Sequence, residues 1–251
     1  MKKVLIFGAV KHVIKKAKEL GYETIVIDQN PNIACIKQAD KFKNISFEAY
    51  EECLQYAREE HVDGVVTATE FAVLTASYVA NKMNLPGLDF EVAKLVKSKY
   101  EIRKKMQEKY ITNVPQFYEV SKIEELYEIK DKIKFPIILK PCSGLGSLYV
   151  YKIDDFETLM QKIQEVINGS FNGRALIETF IEGQEYGIES FVYNGKVHIL
   201  AIMKKNMTNL PYRSELGHST PSELPREIES KIEEIVSRLI RETGIKNGRT
   251  M

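Results

Sequence analysis

Residues 135–149 read FPIILKPCSGLGSLY: an apolar run ends in Lys140-Pro141, and a loop containing Ser143, Gly144, Gly146 and Ser147 follows. Small residues let backbone N–H groups close around phosphate oxygens, and a neighbouring lysine supplies charge. A Walker loop needs GxxxxGK[ST], with its Lys after the glycines and leading into a helix. Here Lys140 precedes the glycines and a strand-like segment follows, so that reading fails. A dinucleotide fingerprint fails as well, because the first strand ends in Gly8-Ala9-Val10 with no GxGxxG. Without those glycines, Asp28 reads as a turn residue rather than a ribose ligand. Taken alone, the loop fits either a cover for a triphosphate or a hairpin turn beside a solvated lysine.

The neighbourhood favours the phosphate. Lys99 lies upstream in SKYEIRKKM, and downstream ETFIEGQE places Glu178 and Glu185 on either side of the apolar step Phe180-Ile181. An adenine slot needs apolar side chains against the ring, main-chain groups for its edge and a carboxylate for ribose hydroxyls. Singly, each of these residues also reads as a surface residue; two lysines, a glycine loop and an acidic strand in this order point to a nucleotide. Glu70, after VVTAT, sits at the carboxyl end of a strand, where open α/β sheets bind ligands, and is a candidate substrate contact.

These groups need a scaffold. KVLIFG, YETIVID and VDGVVTAT read as buried strands, and 9–21, 48–61 and 71–84 as helices, so strands alternate with helices to about residue 90. That alternation predicts an open parallel α/β sheet. Residues 91–111 form one long charged helical stretch, and SKIEELYEIKDKI begins like a capping box, Ser121 with Glu124. Next come strand FPIILKP, the glycine loop, strand LYVYKI, helix 154–168, strand RALIETFI and a hairpin around Asn194-Gly195. A polar loop, 206–225, leads into a last helix, 226–243.

The bulk properties narrow the classes. The 251 residues suit one large domain or two modest ones, and a net charge of +1 gives no electrostatic argument for nucleic acid. No run approaches the roughly 20 apolar residues of a membrane span, and MKKVLIFGAV is too short and too soon followed by lysines for a secretion signal. Three scattered cysteines, Cys35, Cys53 and Cys142, argue against a disulfide framework or a CxxC metal site and fit a cytoplasmic protein.

The ordered set Lys99 in SKYEIRKKM, Lys140 in FPIILKPCSGLGS and Glu178 to Glu185 in ETFIEGQE resembles the ATP-grasp superfamily. The first third, with VIDQNPN and ADKFKNIS, is similar to the pre-ATP-grasp domain. The flavour is that of carbamoyl-phosphate-synthase-like proteins, biotin carboxylase and amino-acid ligases, and ELGHSTPSELP looks most like the last group. The resemblance implies a Rossmann-like parallel sheet (1–97), a linking helix (98–119), a small antiparallel lid (120–181) and a partial, incomplete C-terminal sheet (182–251). It implies ATP and Mg2+, and ligation of a small-molecule carboxylate to an amine through an acyl phosphate.

Carried over by position, Lys99 and Lys140 contact phosphates, Ser143, Gly144, Gly146 and Ser147 form the lid loop, and Glu178, Phe180 and Ile181 hold adenine. Glu185 takes the ribose. Lys205, Arg213 and His218 are the catalytic candidates, with Glu215 beside the substrate. The superfamily's magnesium ligands follow the last helix, where this sequence reads only GIKNGRTM. The expectations are therefore a truncated sheet, no metal ligands and little catalysis by this chain. The alternative is a non-catalytic nucleotide-binding or interaction module, completed by a second copy or a partner chain.

Overall fold

Continuous apolar runs dictate the first sheet. In the computed structural model, which describes residues 1–208 and 215–250, these runs become β1 (Lys3–Phe7) and β2 (Glu23–Asp28). Around them lie α1 (Lys11–Glu19), β3 (Lys41–Asn44), α2 (Tyr50–Glu59), β4 (Gly64–Thr67), α3 (Val73–Lys82) and α4 (Phe90–Lys97). The strands are all parallel, in the order β3-β2-β1-β4. Leu5 and Phe7 bury on one face among side chains of α2 and α3, while Ile6 and Val26 bury on the other against Ile14 of α1. A strand covered on both faces must be apolar at every position. Burying each such side chain contributes about 2 kcal/mol.

Two compact units result: Met1–Lys94 with Ile245–Gly248, and Leu95–Gly244 with Arg249 and Thr250. In the first, the Asp28 carboxylate accepts the Ala9 and Asn30 N–H groups at 2.8 Å each, so it closes a turn as the sequence suggests. Glu70 is exposed and opens a single 3-10 turn after β4. Among the described residues no helix is long and apolar enough to cross a membrane.

The second unit holds α5 (Lys99–Glu108), β5 (Phe117–Val120), α6 (Glu125–Ile129), β6 (Ile137–Pro141), β7 (Tyr151–Ile153), α7 (Phe156–Asn168) and β8 (Ala175–Thr179). It continues with β9 (Tyr186–Tyr193), β10 (Lys196–Met207), β11 (Glu215–Ser219), α8 (Arg226–Thr243) and β12 (Gly248–Thr250). One antiparallel sheet runs β5-β8-β6-β7, and a second sheet runs β11-β10-β9-β12. The β9–β10 hairpin turns at Asn194 and Gly195, both at positive φ (48° and 76°), as an Asn-Gly turn requires.

Several local expectations are corrected. The stretch 91–111 is two helices, not one: the chain breaks at Ser98, whose hydroxyl accepts the Glu101 N–H and caps α5. The Ser121 partner is Glu125 rather than Glu124; its carboxylate accepts both the N–H and the hydroxyl of Ser121, at 2.7 and 2.9 Å. The segment LYVYKI is a strand only from Tyr151, and the polar loop 206–225 contains β11. The short strand β3 (KFKN) pairs with β2 although its residues are mostly exposed and charged.

Candidate nucleotide site

Period-two alternation sorts the side chains of the β5-β8-β6-β7 sheet. Val120, Leu139, Ile153 and Ile177 point into a core shared with Leu159 and Ile163 of α7 and Leu126 of α6. The register sets Phe117 opposite Glu178, Glu178 opposite Ile138, and Ile138 opposite Lys152, so these share the other face. Lys140 and Phe180, each two residues along its strand direction, belong to that face too. The site therefore follows from strand parity: one face is apolar and packed, and the other collects the chemistry.

Lys140 Nζ pairs with Glu178 Oε1, and Arg103 Nε donates to Glu178 Oε2 at 3.0 Å. Glu178 is only 7% exposed. Burial alone would raise its carboxyl, but Lys140 and Arg103 together outweigh that and hold it below the usual range. Burial pushes the Lys140 ammonium below its usual value, further than the pull of Glu178 restores it. Lys99 is lowered as well, by burial first and then by the like charge of Lys140.

The break at Ser98 is what places Lys99. As the first residue of α5 it donates its backbone N–H to Cys142 O (3.0 Å), and its Nζ donates to Gly144 O (3.1 Å). The glycine loop is tied at its base: Ser143 N–H donates to Ser170 Oγ (3.3 Å), and Ser143 O accepts the Phe171 N–H (2.9 Å). Further along, Gly146 has φ +67° and Ser147 φ +55°. The loop thus spans from Lys140 past Lys99, with its tip, Gly146 to Tyr149, exposed.

Phe180 lies under Lys152, whose Nζ is 5.4 Å from the ring centroid. Its N–H is taken by Pro136 O at 3.0 Å, so a base edge would have to use its carbonyl or Ile181, which is 68% exposed. Glu185 is partly buried; its carbonyl accepts the Lys205 N–H, and its carboxylate acts on Lys140.

A second cluster stands on the β9–β11 sheet. Lys205 and His218 are register partners, Lys205 Nζ is 2.9 Å from Glu215 Oε2, and a side chain at Gly187 would meet His218 Nε2 at 3.3 Å. His218 Nε2 is buried and 3.6 Å from Glu215 Oε2, beyond hydrogen-bond reach. Lys205 holds Glu215 below the usual carboxylate range. Glu70 belongs to the first unit, and Arg213 lies outside the described residues. Sequence reasoning missed Arg103 and Lys152; Arg103 stands four residues after Lys99, one turn along the same helix face, and Lys152 shares the face of Lys140 by register.

Against this geometry, an ATP-grasp domain model matches residues 133–250 and an ATP-grasp N-terminal domain model matches residues 14–87. The chain belongs to the ATP-grasp superfamily. The chain is 23% identical to the carbamoyl phosphate synthase large chain of Clostridium acetobutylicum, over 94% of its own length and 22% of that protein. To the L-arginine-specific L-amino acid ligase of Bacillus subtilis it is 27% identical, over 57% of its length and 35% of the ligase. The crystal structure of an L-amino acid ligase from Bacillus licheniformis superposes with a TM-score of 0.84 at 25% identity, covering 99% of this chain and 62% of the ligase. This ATP-grasp chain thus spans less than two thirds of the length of these relatives.

The superfamily implies magnesium beside the residues described. Among them no three His, Cys, Asp or Glu side chains converge. The carboxylates on the β9–β11 sheet are engaged by cations instead, Glu189 by Arg249 (2.8 Å) and Glu215 by Lys205. Magnesium takes near-octahedral oxygen ligands, one or two of them carboxylates and the rest phosphate oxygens and water.

Proposed function

We propose that this chain binds ATP between the charged face of the β5-β8-β6-β7 sheet and the β9–β11 sheet. We read it as part of an ATP-dependent carboxylate–amine ligase. The observation that carries this is the convergence of Lys99, Lys140 and Glu178 at the mouth of the glycine loop. Lys99 and Lys140 take phosphate oxygens, the loop from Ser143 to Ser147 supplies backbone donors, Phe180 and Ile181 flank adenine with Glu178 at its edge, and Glu185 meets the ribose. Residues 120–181 act as a lid that excludes water from the reacting centre.

In the ligase reading, a substrate carboxylate oxygen attacks the γ-phosphorus, the bond to the β,γ-bridging oxygen breaks, and ADP leaves. An amine nitrogen then attacks the acyl carbon, loses a proton and expels inorganic phosphate. A carboxylate is a poor electrophile, and its phosphate anhydride is a good one. The lysines offset the charge spread over the transferring phosphoryl group. Lys205 meets the γ-phosphate, while His218 and Glu215 contact the substrates. The relatives named as amino-acid ligases support an amino acid as the carboxylate. The test is ADP release by the purified chain over a panel of amino-acid pairs. Stimulation by one pair supports ligation; ATP binding without stimulation by any pair confines the function to nucleotide binding.

A second reading has its own observation. Phe191, Leu200 and Leu216 on the β9–β11 sheet are 45%, 62% and 72% exposed. Phe191 and Leu200 lie near the β9–β10 turn and Leu216 beside the other end of β10, and coverage by another chain or a second copy would bury them. Sedimentation should then show concentration-dependent association, and a clean monomer at high concentration would remove this reading.

A further inference from the structure

We propose that Arg103 is a positioning residue that frees Lys140 for phosphate: it keeps the buried Glu178 carboxylate paired while the Lys140 ammonium turns to the nucleotide. The inference rests on the ATP-binding reading above. Its basis is the division of labour on one carboxylate. Oε1 is held by Lys140 and Oε2 by Arg103, so the two cations do not compete for the same oxygen. A buried carboxylate that loses its last cation is costly to leave bare. With Lys140 as sole partner, Glu178 would hold it, and a phosphate would have to break that pair. With Arg103 on the second oxygen, Lys140 can leave and the carboxylate stays neutralised.

The surroundings of both cations fit this role. Burial keeps the Lys140 ammonium below its usual value, and Arg103 adds to this against the pull of Glu178. Lys140 is also the like charge that acts on Lys99. Arg103 and Lys99 are like charges beside it, set against the carboxylates of Glu178 and Glu185. Arg103 stands on α5, whose end is fixed by Arg238 of α8 donating to the carbonyls of Lys109 and Tyr110 at 2.7 and 3.1 Å. Its fork is suited to a carboxylate.

The test is calorimetry with a non-hydrolysable ATP analogue and with adenosine, on the wild-type chain, Arg103→Met, Glu178→Gln and the double variant, each checked for folding by circular dichroism. Arg103→Met should weaken the triphosphate by about tenfold. It should leave adenosine within about twofold, and the triphosphate loss should shrink to about twofold in the Glu178→Gln background. Equal losses for adenosine and triphosphate, an undiminished loss in the Glu178→Gln background, or no loss at all would each overturn the proposal. If Arg103→Met does not fold, Arg103→Gln serves in the same comparisons. Failure of the wild-type chain to bind the analogue would instead remove the ATP reading itself.

Discussion

Lys140 and Glu178 form their ion pair across a diagonal of the sheet: Lys140 stands opposite Leu176 and Glu178 opposite Ile138 on the antiparallel β6–β8 ladder. A long side chain reaches such a diagonal neighbour. The arrangement puts a lysine and a carboxylate on the opposite parity to the residues that form the sheet's apolar core. Breaking a buried pair by removing one partner costs about 3–5 kcal/mol, whereas a pair of apolar residues in its place is often neutral or better. The exposed Arg226–Glu229 pair on α8, by contrast, adds little to stability. Stability alone therefore gives no reason to bury Lys140; binding an anion does.

Lys140→Met separates the two. Arg103 still holds Glu178, so the chain should fold and lose about 1–3 kcal/mol, well below the cost of an orphaned charge. Urea unfolding monitored by circular dichroism measures this. A variant that fails to fold would mean that Arg103 does not support Glu178.

Gly169 is where α7 meets the glycine loop. A methyl group there would lie 2.3 to 2.8 Å from ring atoms of Tyr149. Gly169→Ala should displace that ring and cost about 1–3 kcal/mol. It should also weaken the ATP analogue, because Tyr149 ends the loop. Unchanged affinity beside a lowered melting temperature would separate the loop from the nucleotide.

The loop itself should close on its ligand. Amide exchange from Ser143 to Ser147 should slow when the ATP analogue is bound, with little change in the β1–β2 strands. Exchange in the loop that is indifferent to the analogue would contradict its role as a cover.

Asp40 gives the first unit a pH dependence. Its carboxyl is lowered from 3.8 to about 2, first by Lys18 and then by the Thr24 N–H. A depressed carboxyl stabilises the fold above its unfolded value, and that contribution is lost as pH falls from 3.8 through about 2. Asp40→Asn should flatten the stability curve over that window. At pH 7, discounted for exposure, the loss should be about 1 kcal/mol. Parallel acid curves for the two proteins would refute the assignment.

Strand parity and motif order made much of this molecule legible. The runs KVLIFG and YETIVID have to be doubly covered strands, and the Asn194-Gly195 turn has to be a hairpin. Lys99, Lys140 and Glu178 became candidates only through their order along the chain, since each alone also reads as a surface residue. Arg103 was not among them, because nothing local marks a helical arginine whose partner lies 75 residues away. The break at Ser98 was hidden by good helix formers on both sides, and a serine cap within a charged run looks like one more polar residue. Strand β3 is charged and mostly exposed, so its pairing with β2 comes from the sheet rather than from its own pattern.

The most direct measurement is titration calorimetry of a non-hydrolysable ATP analogue into the wild-type chain and into folded Lys140→Met. Saturable binding by the wild-type chain, weakened by about tenfold or more in the variant, is what the site described above requires. Equal binding by both would place the nucleotide elsewhere, and no binding by either would remove ATP from the function of this chain.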